Sequence, residues 1–218
     1  MIKNVAIVPA VLANNKDDYR AQIEKINTYT KRIQVDVADK TFIPEGTLNI
    51  ANVWWPQGWE ADLHLMTAQP SLYMDVISKL KPSLCILHAE AGEDLLPLFA
   101  HLKQQGIKTG VALLPQTYPG RAKPYIDAVD HVLVFAGRLG AQGGQADLMQ
   151  MEKVPLIRGL KSEVEIGWDG GANMSNIRTI AHAGVDVINV GAALNQAPNP
   201  AELYTEMVAE TDKSGVAL

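Results

Sequence analysis

Short apolar runs alternate along this chain with longer amphipathic segments. Eight runs read as strands: residues 5–12, 32–37, 61–66, 84–88, 109–114, 131–136, 164–168 and 185–190. They are rich in Val, Ile and Leu and mostly unbroken by polar residues, the pattern of strands covered on both faces. Between them the clearest predicted helices are 16–30, 70–79, 94–105, 121–129, 175–183 and 200–213, with weaker helical patterns over 49–55 and 147–153. Gly106 and Gly184 stand where helices should stop, and Ser175 stands where it can cap the helix that follows the 169–173 loop.

Strands that alternate with helices form a parallel sheet through right-handed crossovers. Eight such units close naturally into a (β/α)₈ TIM barrel. Six or fewer would favour an open doubly wound sheet, an alternative that the two weak helices leave standing. The chain has 218 residues, which suits one barrel of roughly 200–250 residues. It contains no linker, low-complexity stretch or block of like charge, so residues 1–218 read as a single domain.

Composition narrows the function. Hydrophobic residues make up 47% of the chain, enough for a buried core. The net charge of −5 and the pI of about 5.5 argue against a nucleic-acid partner, which calls for clustered Lys and Arg. The one cysteine, Cys85, lies in the apolar run Leu84-Cys85-Ile86-Leu87 and reads as a small buried hydrophobe. Met1-Ile2-Lys3-Asn4 has none of the features of a signal peptide, and no apolar run approaches the roughly 18 residues of a membrane span. The expectation is a cytoplasmic protein with no membrane partner.

Chemistry in a barrel sits at the C-terminal ends of the strands. Strand two ends Gln34-Val35-Asp36-Val37-Ala38-Asp39, strand three Asp62-Leu63-His64-Leu65-Met66, strand four His88-Ala89-Glu90 and strand seven Asp169-Gly170-Gly171. Residues two apart share a face, so Gln34 pairs with Asp36 and Asp62 with His64. With that face turned inward, Asp36, His64 and Asp169 converge at the top of one lumen. A lone strand-end Asp commonly caps a loop, and a lone His is commonly structural. Together, two carboxylates and an imidazole make a divalent-metal set with open positions.

Three glycine-rich loops follow strands six, seven and eight: Gly137-Arg138-Leu139-Gly140-Ala141-Gln142-Gly143-Gly144-Gln145, Asp169-Gly170-Gly171-Ala172-Asn173 and Gly191-Ala192-Ala193. Glycines let backbone N–H groups approach a phosphate, and the loops after strands seven and eight are the usual phosphate site of such barrels. The expected ligand is a small sugar phosphate.

At these residues the chain resembles the ribulose-phosphate 3-epimerase family, nearly end to end. The matching segments include Val8-Pro9-Ala10-Val11-Leu12, Val35-Asp36-Val37-Ala38-Asp39 with Phe42-Ile43-Pro44, Asp62-Leu63-His64-Leu65-Met66, His88-Ala89-Glu90-Ala91, Gly110-Val111-Ala112-Leu113, Gly143-Gly144-Gln145 and Asp169-Gly170-Gly171. The resemblance implies a (β/α)₈ barrel that interconverts D-ribulose 5-phosphate and D-xylulose 5-phosphate. It implies Asp36 and Asp169 as the acid–base pair, and both of them with His64 as ligands of a divalent metal such as zinc, iron(II), manganese or cobalt. It further implies backbone groups near Gly143, Gly144, Gly170, Gly171, Gly191 and Ala192 on the phosphate, Met66 shielding the reaction centre, and a homo-oligomer.

The chain departs from the family pattern at several places. Gln34 stands where the family has a histidine metal ligand, and a Gln carbonyl binds zinc-like ions more weakly than imidazole does. Ala10, Ala136 and Ala192 stand where the family has serines, and Lys40 and Thr41 where it has Gly and His. The strand-six loop is one residue longer and carries Arg138. These changes keep two alternatives in play: an epimerase-like enzyme for another phosphorylated ketose, including metal-free isomerase or lyase chemistry, and a non-catalytic sugar-phosphate-binding barrel. The cluster of Trp54, Trp55 and Trp59 reads as core packing or as a surface for assembly.

Overall fold

The computed structural model describes residues 5–139 and 143–212. Gly140, Ala141 and Gln142 of the long strand-six loop, the predicted end of the last helix at Lys213, and Met1 to Asn4 lie outside the described residues. Eight parallel strands close into a barrel in chain order: β1 (Ala6–Val11), β2 (Arg32–Ala38), β3 (Glu60–Met66), β4 (Leu84–His88), β5 (Lys108–Leu113), β6 (His131–Phe135), β7 (Glu165–Asp169) and β8 (Val187–Val190). Closure runs through Ala6↔Val187 to Pro9↔Val190, which rules out the open sheet.

The helices are α1 (Lys16–Ile26), α2 (Met74–Leu80), α3 (Leu96–Gln104), α4 (Lys123–Ala128), α5 (Lys153–Leu160), α6 (Ile177–His182), α7 (Ala192–Asn195) and α8 (Pro200–Thr211). Asn15 caps α1 through its side-chain oxygen, which accepts from the Asp17 and Asp18 N–H groups. Gly106 and Gly184 follow α3 and α6 with positive φ, as their helix-stop reading requires.

Three expectations need correction. Ser175 does not cap α6. Asn173 accepts from both its N–H and its hydroxyl, and Asn176 takes the cap position with its side chain bonded to Asn173 N and Gly171 O rather than to the helix. The 49–55 pattern yields only a 3₁₀ turn at Ile50–Asn52, so no α-helix joins β2 to β3. The 147–153 pattern is a 3₁₀ turn at Leu148–Glu152 that runs into α5. Pro155 and Gly159 disguise α5 in the sequence, yet Pro155 sits in the first turn, where N–H groups lack intrahelical partners anyway.

Period-two alternation sorts each strand into two environments. Outward residues such as Ile33, Leu63, Cys85, Val111 and Ile166 pack under Ile23, Ile77, Phe99, Leu102, Ile126 and Ile177 of the helices in one core. Cys85 is fully buried and free, as read from its apolar run. Trp59 belongs to this core and Trp55 packs against it, whereas Trp54 is 41% exposed and meets Tyr19 edge-on. Inward residues form layers. Leu84, Ile86, Ala112 and Leu133 make a separate apolar plug inside the barrel. Gly167 keeps one slot of β7 empty, because a Cβ there would lie 2.6 Å from His131 Nε2 and 2.9 Å from Leu133 Cδ1.

On the N-terminal side of the plug, Arg32 binds Asp62 at 3.0 Å and Glu165 at 3.2 Å, and His131 Nδ1 binds Glu165 at 2.8 Å. Asp62 is almost fully buried, and burial raises its pKa despite the nearby Arg32 charge. Removing the partner of a buried charge costs more than the pair contributes. Arg32→Leu should therefore lower unfolding free energy by about 3 kcal/mol in a denaturant titration. A loss of less than about 1 kcal/mol would mean that water already serves Asp62 at this end.

Candidate active site

The register Asp36↔His64 sets these two side chains side by side on the inner face of β2 and β3, with Gln34 two residues deeper on β2. Asp169 reaches them from the end of β7 across the lumen. His64 Nδ1 lies 3.0 Å from Asp36 Oδ1 and 3.5 Å from Asp169 Oδ2. The Gln34 amide nitrogen donates to both acids, at 2.9 Å to Asp36 and 2.7 Å to Asp169. The three strand ends singled out in the sequence thus converge, and Gln34 ties the two carboxylates together.

Behind His64 a second imidazole completes a chain. His64 Nε2 and His88 Nε2 are 2.8 Å apart, His88 Nδ1 lies 3.4 Å from Glu90 Oε2, and Glu90 accepts the Leu114 N–H at 3.0 Å. Burial pushes His88 down to about 4, so its ring is neutral. Burial also acts to lower His64, but its hydrogen bond to Asp36 and the charges of Asp36 and Asp169 outweigh this and raise it. The opposite directions of the two shifts favour His64 as the donor and His88 as the acceptor across this pair. Phe135 covers both rings, 6.2 Å from each centroid.

Burial pushes Asp169 well above the usual carboxylate range and the like charge of Asp36 adds to it, while His64 and the Gln34 N–H hold it down. Asp169 is thus the acid of the pair whose hold on a proton its surroundings strengthen.

The residues fit a divalent cation. Ligand atoms of Asp36, His64 and Asp169 lie within 4.8 Å of one another. Gln34 Oε1 is buried without a hydrogen-bond partner, an acceptor in need of a donor or a cation. The amide N–H side of Gln34 faces the two carboxylates.

A cavity of about 240 Å³ opens above this group. Met66, Gly143, Gly144, Gly170, Gly171, Gly191 and Ala192 line it, and so do Ala10 and Arg138. Ala136 and Lys40 do not. Ala136 instead ties loops by backbone, donating to Asp169 O and accepting from Asp147 N. Lys40 is exposed. Gly170 has φ +119°, and a Cβ there would stand 2.1 Å from Gly137 N, so the loops after β6 and β7 touch backbone to backbone. Asp39 fixes the mouth on the other side, accepting from Thr41, from Thr67 Oγ1 at 2.5 Å and from Tyr73 Oη at 2.8 Å. Sequence reasoning missed Phe135, His88 and Asn189 as site residues. For Asn189 a signal existed: it is the polar residue next to the end of an otherwise apolar strand.

Fold and site together define a class, a (β/α)₈ barrel with an acid–imidazole–acid centre beneath a glycine-lined cavity at its C-terminal mouth. The barrel superposes on a chain of Mycobacterium tuberculosis tryptophan synthase with a TM-score of 0.72 over 97% of this chain and 94% of that one, at 15% identity, a likeness of fold alone. The sequence profile of the Ribulose-phosphate 3 epimerase family matches residues 6–195. The chain is 28% identical to ribulose-phosphate 3-epimerase of Schizosaccharomyces pombe, covering 91% of this chain and 90% of that protein. It is 27% identical to the cytoplasmic isoform of the Oryza sativa enzyme, covering 92% of each. This chain belongs to the ribulose-phosphate 3-epimerase family.

The electrostatics of the acid pair can be read directly. In metal-free protein, ¹³C-carboxyl NMR should find Asp169 titrating above the ordinary carboxylate range. Asp36→Asn removes a like charge and should lower that pKa, whereas Gln34→Leu removes a donor to the ionised form and should raise it. Equal titration of Asp169 in all three proteins would contradict the coupling.

Proposed function

We propose that this protein interconverts D-ribulose 5-phosphate and D-xylulose 5-phosphate by moving a proton at C3 between Asp36 and Asp169. The observation that carries this is the pair of carboxylates held by Gln34 and His64 beneath one cavity, in a chain of this family. The ionised acid takes the C3 proton from one face of the ketose, leaving an enediolate. The other, kept protonated by burial and by its neighbour's charge, returns a proton to the opposite face. An ordinary carboxylate is a weak base for a carbon acid, so the enediolate needs stabilisation. In the metal-free reading, His64, whose proton affinity the two acids raise, would offer positive charge beside the reacting atoms.

Asp36, His64 and Asp169 would hold a divalent ion, with Gln34 Oε1 as a fourth donor once its amide turns over. Bound there, such an ion would supply Lewis-acid stabilisation of the two enediolate oxygens. The amide N–H groups of Gln34 also favour a second reading, in which hydrogen bonding to the acids supports proton transfer without metal. The phosphate fits the backbone of Gly143, Gly144, Gly170, Gly171, Gly191 and Ala192, and Arg138 is the cation on the same wall. Met66, buried beside Phe42 and Ile43, keeps water from the reacting carbon. The reading extends to a single barrel domain, a cytoplasmic setting like that of the rice isoform, and a homo-oligomer that would cover apolar side chains such as Leu72 and Met149, each 73% exposed. Among the described residues no helix is long and apolar enough to cross a membrane.

Incubation with D-ribulose 5-phosphate in deuterated water should place deuterium at C3 and form xylulose 5-phosphate. Asp36→Asn and Asp169→Asn should each slow exchange by on the order of 10³-fold or more. Parallel samples with chelator, zinc, manganese or iron(II) separate the two readings of Gln34, and no exchange in any of them would sink the proposal. A further expectation concerns Arg138→Ala: KM should rise roughly 10-fold with kcat little changed, because the guanidinium binds ground state and transition state alike. An unchanged KM would assign Arg138 to solvent.

A further inference from the structure

Most polar side chains on the cavity wall are already committed. Asp36, His64 and Asp169 bind one another and Gln34. Asn173 is consumed by its own loop: its Oδ1 accepts from the Ser175 N–H and hydroxyl, and its Nδ2 donates to Gly171 O. Arg138 is charged and stands at the exposed rim. Ala10, Ala192 and Ala193 add no polar side-chain atom.

Asn189 remains. It lines the cavity, is only 3% exposed, and its Oδ1 has no hydrogen-bond partner. A buried carbonyl oxygen left unpaired is costly, and nearly all such groups in native proteins have a hydrogen-bond partner. Asn189 stands in register with Asp169 on β7 and with Val8 on β1. It also lies two residues before Gly191 on the same strand face, roughly 7 Å along β8. It therefore sits between the acid that handles the reacting carbon and the loop that takes the phosphate. The free atom is an acceptor, so neither a ketone nor a phosphate oxygen can pair with it, whereas a hydroxyl can.

We propose that Asn189 is a specificity-determining residue whose Oδ1 accepts a hydrogen bond from the hydroxyl on the carbon between the reacting carbon and the phosphorylated carbon. The inference rests on the proton-transfer reading above and names what that reading leaves open. The site would select ketose phosphates that carry a hydroxyl at this carbon, which is C4 of a pentulose 5-phosphate. A substrate without that hydroxyl would leave the buried oxygen unpaired in the transition state.

The test compares D-ribulose 5-phosphate with its 4-deoxy analogue, in kcat/KM for C3 exchange and in Kd by calorimetry. The wild-type protein should prefer the hydroxylated sugar by on the order of 10- to 100-fold. Asn189→Leu, close in shape and apolar, should treat the two sugars within about twofold of each other, and Asn189→Ser should recover part of the preference. A purely structural role predicts the opposite: Asn189→Leu would weaken both sugars equally and keep the wild-type ratio. The wild-type ratio needs no variant to fold. A ratio near one in the wild type, or a wild-type ratio preserved in Asn189→Leu, overturns the proposal. Absence of C3 exchange with the Kd preference intact would instead overturn the reaction and leave the Asn189 assignment standing. A wild-type protein that binds neither sugar overturns both.

Discussion

Two carboxylates at the buried end of one barrel cannot both be ionised without compensation, and the arrangement around Asp36 and Asp169 answers that constraint. Gln34 places one amide nitrogen between them, and His64 places a ring nitrogen beside both. His64 can carry its proton because His88 accepts from its other nitrogen, and His88 in turn stands against Glu90, which is anchored on the Leu114 backbone. The same crowding raises the proton affinity of Asp169, through burial first and the charge of Asp36 second.

The barrel separates this charge from a second set. Arg32, Asp62, His131 and Glu165 occupy the opposite end of the lumen, and Leu84, Ile86, Ala112 and Leu133 lie between. The plug gives the upper group a dry floor, in which electrostatic terms are stronger than in water. At the mouth, backbone rather than side chains sets the shape. Gly170 lets its loop touch Gly137, and Asp39 joins the loops after β2 and β3 through Thr41, Thr67 and Tyr73. The two polar sets share no hydrogen-bond partner among the contacts named above, and the apolar layer lies between them.

Asp36, His64 and Asp169 were legible because polar residues that end apolar runs are conspicuous, and period-two alternation says which of them share a face. The glycine loops were legible for the same reason. His88 and Phe135 were not, since one sat in a matching motif without an assigned task and the other in an apolar run where an aromatic is unremarkable. Helix α5 escaped because Pro155 and Gly159 argue locally against a helix that packing enforces. The helical pattern near Asn49 erred the other way: its periodicity is real, but the chain makes only one 3₁₀ turn there.

The sequence by itself determined the strand–helix alternation, the family, and the polar residues that end the strands, because these follow from short-range periodicity and residue type. The tertiary structure alone decided what those residues do to one another. Pairing of β8 with β7 brings Asn189 beside Asp169, closure on β1 turns it into the cavity wall, and the lumen's width sets the 2.7 Å bond from Gln34 to Asp169, 135 residues away. It also removed Ala136 and Lys40 from the site and kept Arg138 in it. Hydrogen bonding and charge coupling act through space at about 3 Å, and no pattern along the chain encodes that distance until the barrel has closed.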